Sequence, residues 1–556
     1  MATQAPIHSG YFTSVDYNEE IHVYLKCMCP EQELRHVDKA KFILKRADGY
    51  ILDSLTSQPP TQRQTFTKRE PGRYRLEVEL HSYEGSVSRI SDLEIDTTRY
   101  THGSWLCRAF QEHLKERLSV SKAPAPRASQ NLKGFRRLPP NGKDYDLQVM
   151  FQDGGNETVK NRPPLTLEGF PQITFEPVWV ATRWSHTGRA ANLNRFCNLY
   201  RVKTQKQDSR QKLELAKRLE QLDIVKYVAF DLPVYPLQKA LETAKVAPSL
   251  EQTPDLTVHQ GYLDDNLGMN ARNAWKQDAN GEQASVRFLD FGVFEDHEDL
   301  KGYIDVVTNA GYAKNHGSAS AGCIAAGNNG KGVTGVAWGA RLYMYDNTSW
   351  QRILADYCPG DIIAFNIQGS GGLPYAPAVH DKRYWDAVRA LVDAGAIVLF
   401  AAGNGGLDLA THSDFNNYGD SGGIMVGSCN HNDGKRHSTS NYNLHATLNS
   451  WGDNVATTGT LRQNGDGADL WDGGTPETRY MYFGGTSSAT PLTAAALAVV
   501  QGYAIRRYNL CLDTAHMHAL VTEAGYKEAQ VQQIGARPNI KATLDLLDQI
   551  IGGRRA

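Results

Sequence analysis

Charge of one sign is what this chain most plainly lacks. Its 59 lysines and arginines nearly balance 61 aspartates and glutamates, leaving a net charge of −2. No global field therefore draws it toward nucleic acid or an anionic surface. No run of about 18 consecutive apolar residues is present, so no membrane span is expected. Residues 1–10 have neither a basic n-region nor an apolar h-region. No secretory signal is expected, and the chain reads as cytoplasmic or as exported by a route without a classical signal peptide. Cysteine is sparse, with eight at 27, 29, 107, 197, 323, 358, 429 and 511 in no framework spacing. That excludes a disulfide scaffold and suits free thiols in a reducing compartment. Cys27-Met28-Cys29 reads as a strand with both thiols on one face, not as half a metal site. Cys323 and Cys429 read as buried thiols.

At 556 residues the chain exceeds one hydrophobic core, so several domains are expected. Residues 1–100 alternate polar and apolar positions, as in Tyr74-Arg75-Leu76-Glu77-Val78-Glu79-Leu80, between turns such as Glu70-Pro71-Gly72. Period-two patterning predicts an antiparallel β-sandwich, immunoglobulin-like in style, of a kind that binds a partner or inhibitor or covers a neighbouring domain. Residues 101–185 read as a helix near Trp105–Leu118, a Pro- and basic-rich linker over 121–140, and an irregular segment. Residues 186–255 read as a small α+β domain, with a strand over 194–200, a helix over 209–222 and a strand over 225–230. From 256 to 552 buried apolar strands alternate with helices, including 361–365, 396–402 and 424–426. This order predicts an α/β domain with a doubly wound, mostly parallel sheet and its chemistry at the strand C-termini.

The chemistry-bearing motifs lie in that last region. Gly485-Thr486-Ser487-Ser488-Ala489-Thr490-Pro491 turns through small residues into an Ala-rich apolar helix. A hydroxyl is thereby set at a helix N-terminus, where unpaired N–H groups favour developing negative charge. A serine hydroxyl also needs a base, and the base needs an orienting carboxylate. Asp290 closes the apolar run Ser285-Val286-Arg287-Phe288-Leu289 before a glycine turn, and His316 follows in Asn315-His316-Gly317-Ser318. Asn404 sits between glycines after the apolar run 396–402. Taken singly each is an ordinary turn, cap or surface residue. Together, in the order Asp, His, Ser, they form one constellation. His297 and His437 fall outside it and read as structural or surface residues.

These motifs resemble those of the subtilisin-like serine proteases (subtilases), over roughly residues 256–552. The G-T-S-x-A-x-P segment, the H-G-S-x-x-A-G helix start at His316, the tail Gly332-Val333-Thr334-Gly335-Val336-Ala337 and Ala401-Ala402-Gly403-Asn404 all match. One departure stands out: Phe291 occupies the place where the family usually carries a serine or threonine after its aspartate. The resemblance implies a triad of Asp290, His316 and Ser487, with Asn404 and the Ser487 N–H as oxyanion donors. It implies substrate binding by Asn366, Ile367, Gln368, Gly369 and Gly403, although Asn366 replaces the usual serine and Gln368 the usual glycine. Residues 186–255 resemble a subtilase propeptide whose tail, about 235–256, inhibits the site and is released near Leu250–Thr257. The polar stretch 460–480 reads as a surface loop near the cleft.

The expected function is hydrolysis of internal peptide bonds in a protein or peptide substrate through an acyl-enzyme. Its rivals are a transpeptidase or macrocyclase using the same intermediate, and an inactive protease fold serving as a binding protein. The chemistry needs no cofactor. Structural calcium is the one ion the resemblance raises, held by Asp299 and Asn329 with carbonyls near 327–333.

Overall fold

The computed structural model describes residues 252–552 except 359, 370–372, 374, 413–417, 445–446, 461–467, 509 and 530. Upstream it describes 11–17, 21–27, 37–46, 49–57, 63–66, 73–82, 87–96, 145–152, 167–178, 196–204 and 207–235, less positions 168, 171, 197, 205–206 and 233. The expected helix at 105–118 and linker at 121–140 lie outside the described residues.

The C-terminal domain is built on seven parallel strands. They are β13 (Ser285–Asp290), β14 (Ile304–Val306), β15 (Arg341–Asp346), β16 (Ile362–Phe365), β19 (Ile397–Ala401), β20 (Ile424–Cys429) and β21 (Thr447–Trp451), in the order β14-β15-β13-β16-β19-β20-β21. Strands β16, β19 and β20 are buried at every position, as a sheet covered on both faces requires. Alternate residues feed two cores. Phe288, Met344, Ala364, Leu399 and Val426 face one side, with the helices Lys314–Ala325, Thr486–Tyr508 and Ile540–Gly552. Leu289, Tyr345, Phe365, Phe400 and Met425 face the other, with helices Trp350–Asp356 and Lys382–Asp393. Helices on both faces make the sheet doubly wound. The chain goes from β13 toward β14 and β15, then continues from β16 on the other side, so the order reverses between β13 and β16. A crevice at the strand C-termini is expected there. Thr486–Tyr508 is the one helix among the described residues long and apolar enough to cross a membrane, and its 18-residue apolar window is wholly buried within the domain.

A smaller three-stranded antiparallel sheet, β22 (Val455–Thr458), β24 (Arg479–Phe483) and β23 (Ala468–Asp472), leads directly into the Thr486–Tyr508 helix. Part of the stretch read as a surface loop over 460–480 is therefore strand. Its polar outer positions hid the pairing.

Upstream, β11 (Val225–Phe230), β8 (Leu147–Phe151), β10 (Leu199–Lys203) and β9 (Thr174–Pro177) form an antiparallel sheet in the order β11-β8-β10-β9, with the helix Ser209–Leu219 packed on it through Leu215 and Leu219. Two of its strands come from the region read as linker and irregular segment, so the unit extends upstream of 186. The first strand expected there, over 194–200, instead begins at Leu199. Asp208 caps the helix by accepting from Arg210 N and Gln211 N, and Gln211 reaches back to the Asp208 N–H, a reciprocal capping box. The sheet meets the larger domain through Phe196, edge-on to Trp350, and through Tyr227, whose hydroxyl donates to Asp386 at 3.1 Å. Asp231 pairs with buried Arg383 at 2.7 Å. Beyond it, β12 (Val234–Tyr235) pairs antiparallel with β17 (Gln368–Gly369), which also pairs with β18 (Ala376–Pro377).

At the N-terminus, β1 (Tyr11–Tyr17), β2 (Ile21–Cys27) and β5 (Arg63–Phe66) form one antiparallel sheet. A second contains β4 (Ile51–Ser57), β3 (Val37–Arg46), β6 (Arg73–Ser82) and β7 (Val87–Asp96), in that order. Phe42, Leu44, Leu76, Val78 and Leu80 are buried, matching the alternation in the sequence.

Candidate active site

Three chain segments converge where the strand order reverses. Asp290 ends β13, His316 lies in the first turn of the Lys314–Ala325 helix, and Ser487 lies at the start of the Thr486–Tyr508 helix. His316 Nδ1 is 2.6 Å from Asp290 Oδ1, and its Nε2 is 2.8 Å from Ser487 Oγ. A carboxylate can only accept, so Nδ1 carries the proton and Nε2 is left to accept from the serine hydroxyl. The ring is walled edge-on by Phe291 and Phe483, with centroids 5.6 and 5.2 Å away. Phe291, the departure from the usual motif, is therefore packing against the imidazole. Close approach of the His316 helix to the β13 turn depends on Gly317, where a Cβ would lie 2.3 Å from the Gly292 carbonyl.

Asn404 follows β19 and meets the serine turn from the opposite side. Its Oδ1 accepts from Thr486 N at 3.0 Å and Thr486 Oγ1 at 3.1 Å. Both contacts use the carbonyl end and leave the amide N–H groups to donate elsewhere. Gly485 (φ +72°) gives room for this, since a Cβ there would sit 2.7 Å from the Asn404 amide nitrogen. The loop is organised by buried Asn441. Its Oδ1 accepts from Gly405 N and Leu407 N, and its Nδ2 donates to the carbonyls of Ala402 and Tyr375, all within 2.7–3.0 Å.

The substrate-facing expectations divide. Asn366 is fully buried, and its Nδ2 lies 3.0 Å from Asp290 Oδ2, 3.1 Å from Ser320 Oγ and 3.1 Å from the Ser487 carbonyl. It is turned inward to the acid, away from any substrate, because an amide reaches groups a serine at this position would not. Ile367 points into the apolar core beside β16, so only its backbone remains for recognition. Gln368 is buried and accepts from Asn404 N at 3.3 Å, while Gly369 pairs with Val234. Gly403 (φ +87°) lies against the Tyr375 carbonyl. Ser320 and Asn441 were not singled out from the sequence. Ser320 had a signal: it lies four residues after His316, on the same helix face.

Asp299 and Asn329 do meet, but as acceptor and donor. Asn329 Nδ2 gives a hydrogen bond to Asp299 Oδ1 at 2.9 Å, and its own Oδ1 accepts from Lys331 N. Asp299 Oδ2 takes Val333 N and the Tyr480 hydroxyl, each at 2.9 Å. Calcium needs six to eight converging oxygens, whereas these oxygens are turned to N–H and O–H donors. Among the described residues no group of three or more His, Cys, Asp or Glu is arranged to hold a metal. Burial pushes the Asp299 carboxyl up to about 6. Burial also pushes neighbouring His297 down to about 4; its Nε2–H donates to the Arg479 carbonyl and its Nδ1 accepts from Asp299 N. Cys323 and Cys429 are buried, with thiols pushed up to about 12 by desolvation, so both are inert at neutral pH.

An acid, an imidazole and a hydroxyl at the carboxyl edge of a parallel α/β sheet define a class of serine-centred sites. The particular family follows from sequence: residues 281–533 match the profile of the Subtilase family, and this part of the chain is a subtilase domain. Two curated relatives are proteases by name. An extracellular basic protease of Dichelobacter nodosus is 28% identical over 244 residues, covering 40% of this chain and 37% of the relative. A thermostable alkaline protease of Halalkalibacterium halodurans is 28% identical over 279 residues, covering 48% and 70%. The chain thus spans well under half the length of the first. Among solved structures, proteases from Pseudoalteromonas arctica align at 20% identity and TM-score 0.41, covering 53% of this chain and 100% of theirs. Fervidolysin from Fervidobacterium pennivorans, a keratinolytic enzyme related to subtilisin, aligns at 17% identity and TM-score 0.49, covering 74% and 62%.

Proposed function

We propose that this chain is a serine endopeptidase that hydrolyses peptide bonds in proteins or peptides through an acyl-enzyme. The observation that carries this reading is the pair of hydrogen bonds on His316, 2.6 Å to Asp290 and 2.8 Å to Ser487. In the proposed reaction Ser487 Oγ attacks the scissile carbonyl and its proton passes to His316 Nε2. Asp290 holds the ring by Nδ1–H and stabilises the imidazolium. The Asn404 amide and the Ser487 N–H stabilise the oxyanion. His316 then protonates the leaving amine, and water repeats the sequence on the ester.

The sheet β8–β11 with its helix is read as a propeptide-like unit. Support comes from β12, which lies as an added strand on β17, along the edge a substrate backbone would use. The two N-terminal antiparallel sheets support a β-sandwich reading for 11–96. One experiment tests the core of this. Purified wild type is expected to hydrolyse a casein-type substrate and to shorten itself near Leu250–Thr257, while Ser487→Ala does neither. Hydrolysis retained by Ser487→Ala in intact-mass and peptide assays refutes the assignment.

A further inference from the structure

The Asp290 carboxylate is bonded on both oxygens. Oδ1 accepts from His316 Nδ1 at 2.6 Å and from Phe291 N at 2.8 Å. Oδ2 accepts from Ser320 Oγ at 2.7 Å and from Asn366 Nδ2 at 3.0 Å. Both Oδ2 donors are fully buried and come from different elements. Ser320 lies one turn beyond His316, so a single helix face serves both oxygens: the imidazole takes Oδ1 and the hydroxyl takes Oδ2. Asn366 follows the C-terminal end of β16, on the other side of the acid.

Asn366 has a second contact that explains its size. In an α-helix the carbonyl of Ser487 would accept from the N–H of residue 491, four positions on. Residue 491 is proline and has no N–H. The Asn366 amide lies 3.1 Å from that carbonyl, so one side chain reaches both the acid and the backbone of the nucleophile. The arrangement has a cost. Asn366 Oδ1 is buried with no partner among the described residues, and an orphaned acceptor is destabilising. Packing alone would favour an apolar side chain there. What the amide supplies in return is the donor group on Oδ2.

We propose that Ser320 and Asn366 are a pair of positioning residues that hold Oδ2 of Asp290 and set how strongly Oδ1 grips His316. Each hydrogen bond draws charge off the carboxylate oxygen that accepts it. Less of that charge is then available to Nδ1–H, so His316 gains a proton at a lower pH than it would beside an unshared carboxylate. The pair also fixes the carboxylate plane, and with it the direction of the imidazole toward Ser487.

The proposal rests on the peptidase reading for its kinetic consequences, not for its spectroscopic one. The test uses the full chain with Ser320→Ala, Asn366→Leu and Asn366→Ser. Removing one donor to a charged acceptor is expected to lower kcat about tenfold with KM unchanged, and Asn366→Ser, too short to reach Oδ2, is expected to lose as much as Asn366→Leu. The acid limb of kcat/KM is expected to move to higher pH in Ser320→Ala. Independently, the His316 Nδ1–H proton signal is followed by NMR in the Ser487→Ala chain, with and without Ser320→Ala. Its shift and titration are expected to move upward in pH when the hydroxyl is gone. An unmoved titration, or a loss confined to KM, overturns the pair. A wild type that hydrolyses nothing overturns the peptidase reading alone, because the NMR titration still decides on the pair. If Asn366→Leu unfolds, Ser320→Ala carries the decision.

Discussion

Two aspartates nine positions apart, Asp290 and Asp299, are both fully buried and have been put to different uses. Asp290 faces four donors, one of them an imidazole that can take up a positive charge. Asp299 faces an amide, a backbone N–H and a phenol, and its neighbour Glu298 adds like charge that raises it further. Burial is therefore common to the two and does not distinguish them. The difference lies in whether a donor can become a cation. A carboxylate beside a potential imidazolium can stabilise charge as it forms, whereas one beside neutral donors only supports its own fold.

The same substitution at both positions should separate these roles most sharply. Asp290→Asn is expected to lower kcat about 10⁴-fold, the size seen when a triad carboxylate becomes an amide and the imidazole is left in the wrong tautomer. Asp299→Asn should change kcat no more than a few-fold at neutral pH. Steady-state kinetics on the pair of variants, with thermal melts to confirm folding, provides the check. Comparable losses in kcat would erase the distinction.

A smaller effect concerns acid stability around Asp299. His297 has a folded pKa of about 4, below the ordinary value, so its contribution is present above about pH 6.5 and is lost as pH falls toward 4. Asp299, at about 6, has the opposite sign: its contribution grows as pH falls from about 6 toward 4. The two oppose each other across one window. His297→Gln removes only the first, so its stability should fall less between pH 7.5 and 4.5 than that of the wild type. The expected gap is on the order of 2–3 kcal/mol. Denaturant melts of each protein at both pH values measure it, and parallel pH dependences would contradict the assignment. The smallest effect is expected from chelation. Because Asp299 and Asn329 are turned to each other and to Val333 and Tyr480, EDTA should leave Tm unshifted, and a drop of several degrees would show that an ion sits there after all.

The residues legible in the sequence were those that local chain geometry marks. Asp290, His316, Asn404 and Ser487 each sit beside a glycine turn at a strand end or helix start, and short motifs record such turns. The parallel sheet was legible for the same reason, because continuous apolar runs such as Ile362–Phe365 can be buried on both faces. Contacts across long separations left no such mark. Asn366 reaches an acid 76 positions away and a carbonyl 121 away, and nothing near it shows that its amide faces inward. Tyr480 donates to Asp299 from 181 positions off, a contact that no local pattern marks. Strands β8 and β9 pair with β10 across a segment rich in proline and charge, where periodicity is too short to register.

The central claim is that Ser487 is made nucleophilic by His316. Labelling with a fluorophosphonate, followed by peptide mapping, tests it most directly. A single adduct on Ser487 is predicted in the wild type, with labelling slowed by orders of magnitude in His316→Ala. An adduct on another residue, or labelling indifferent to His316, would contradict it.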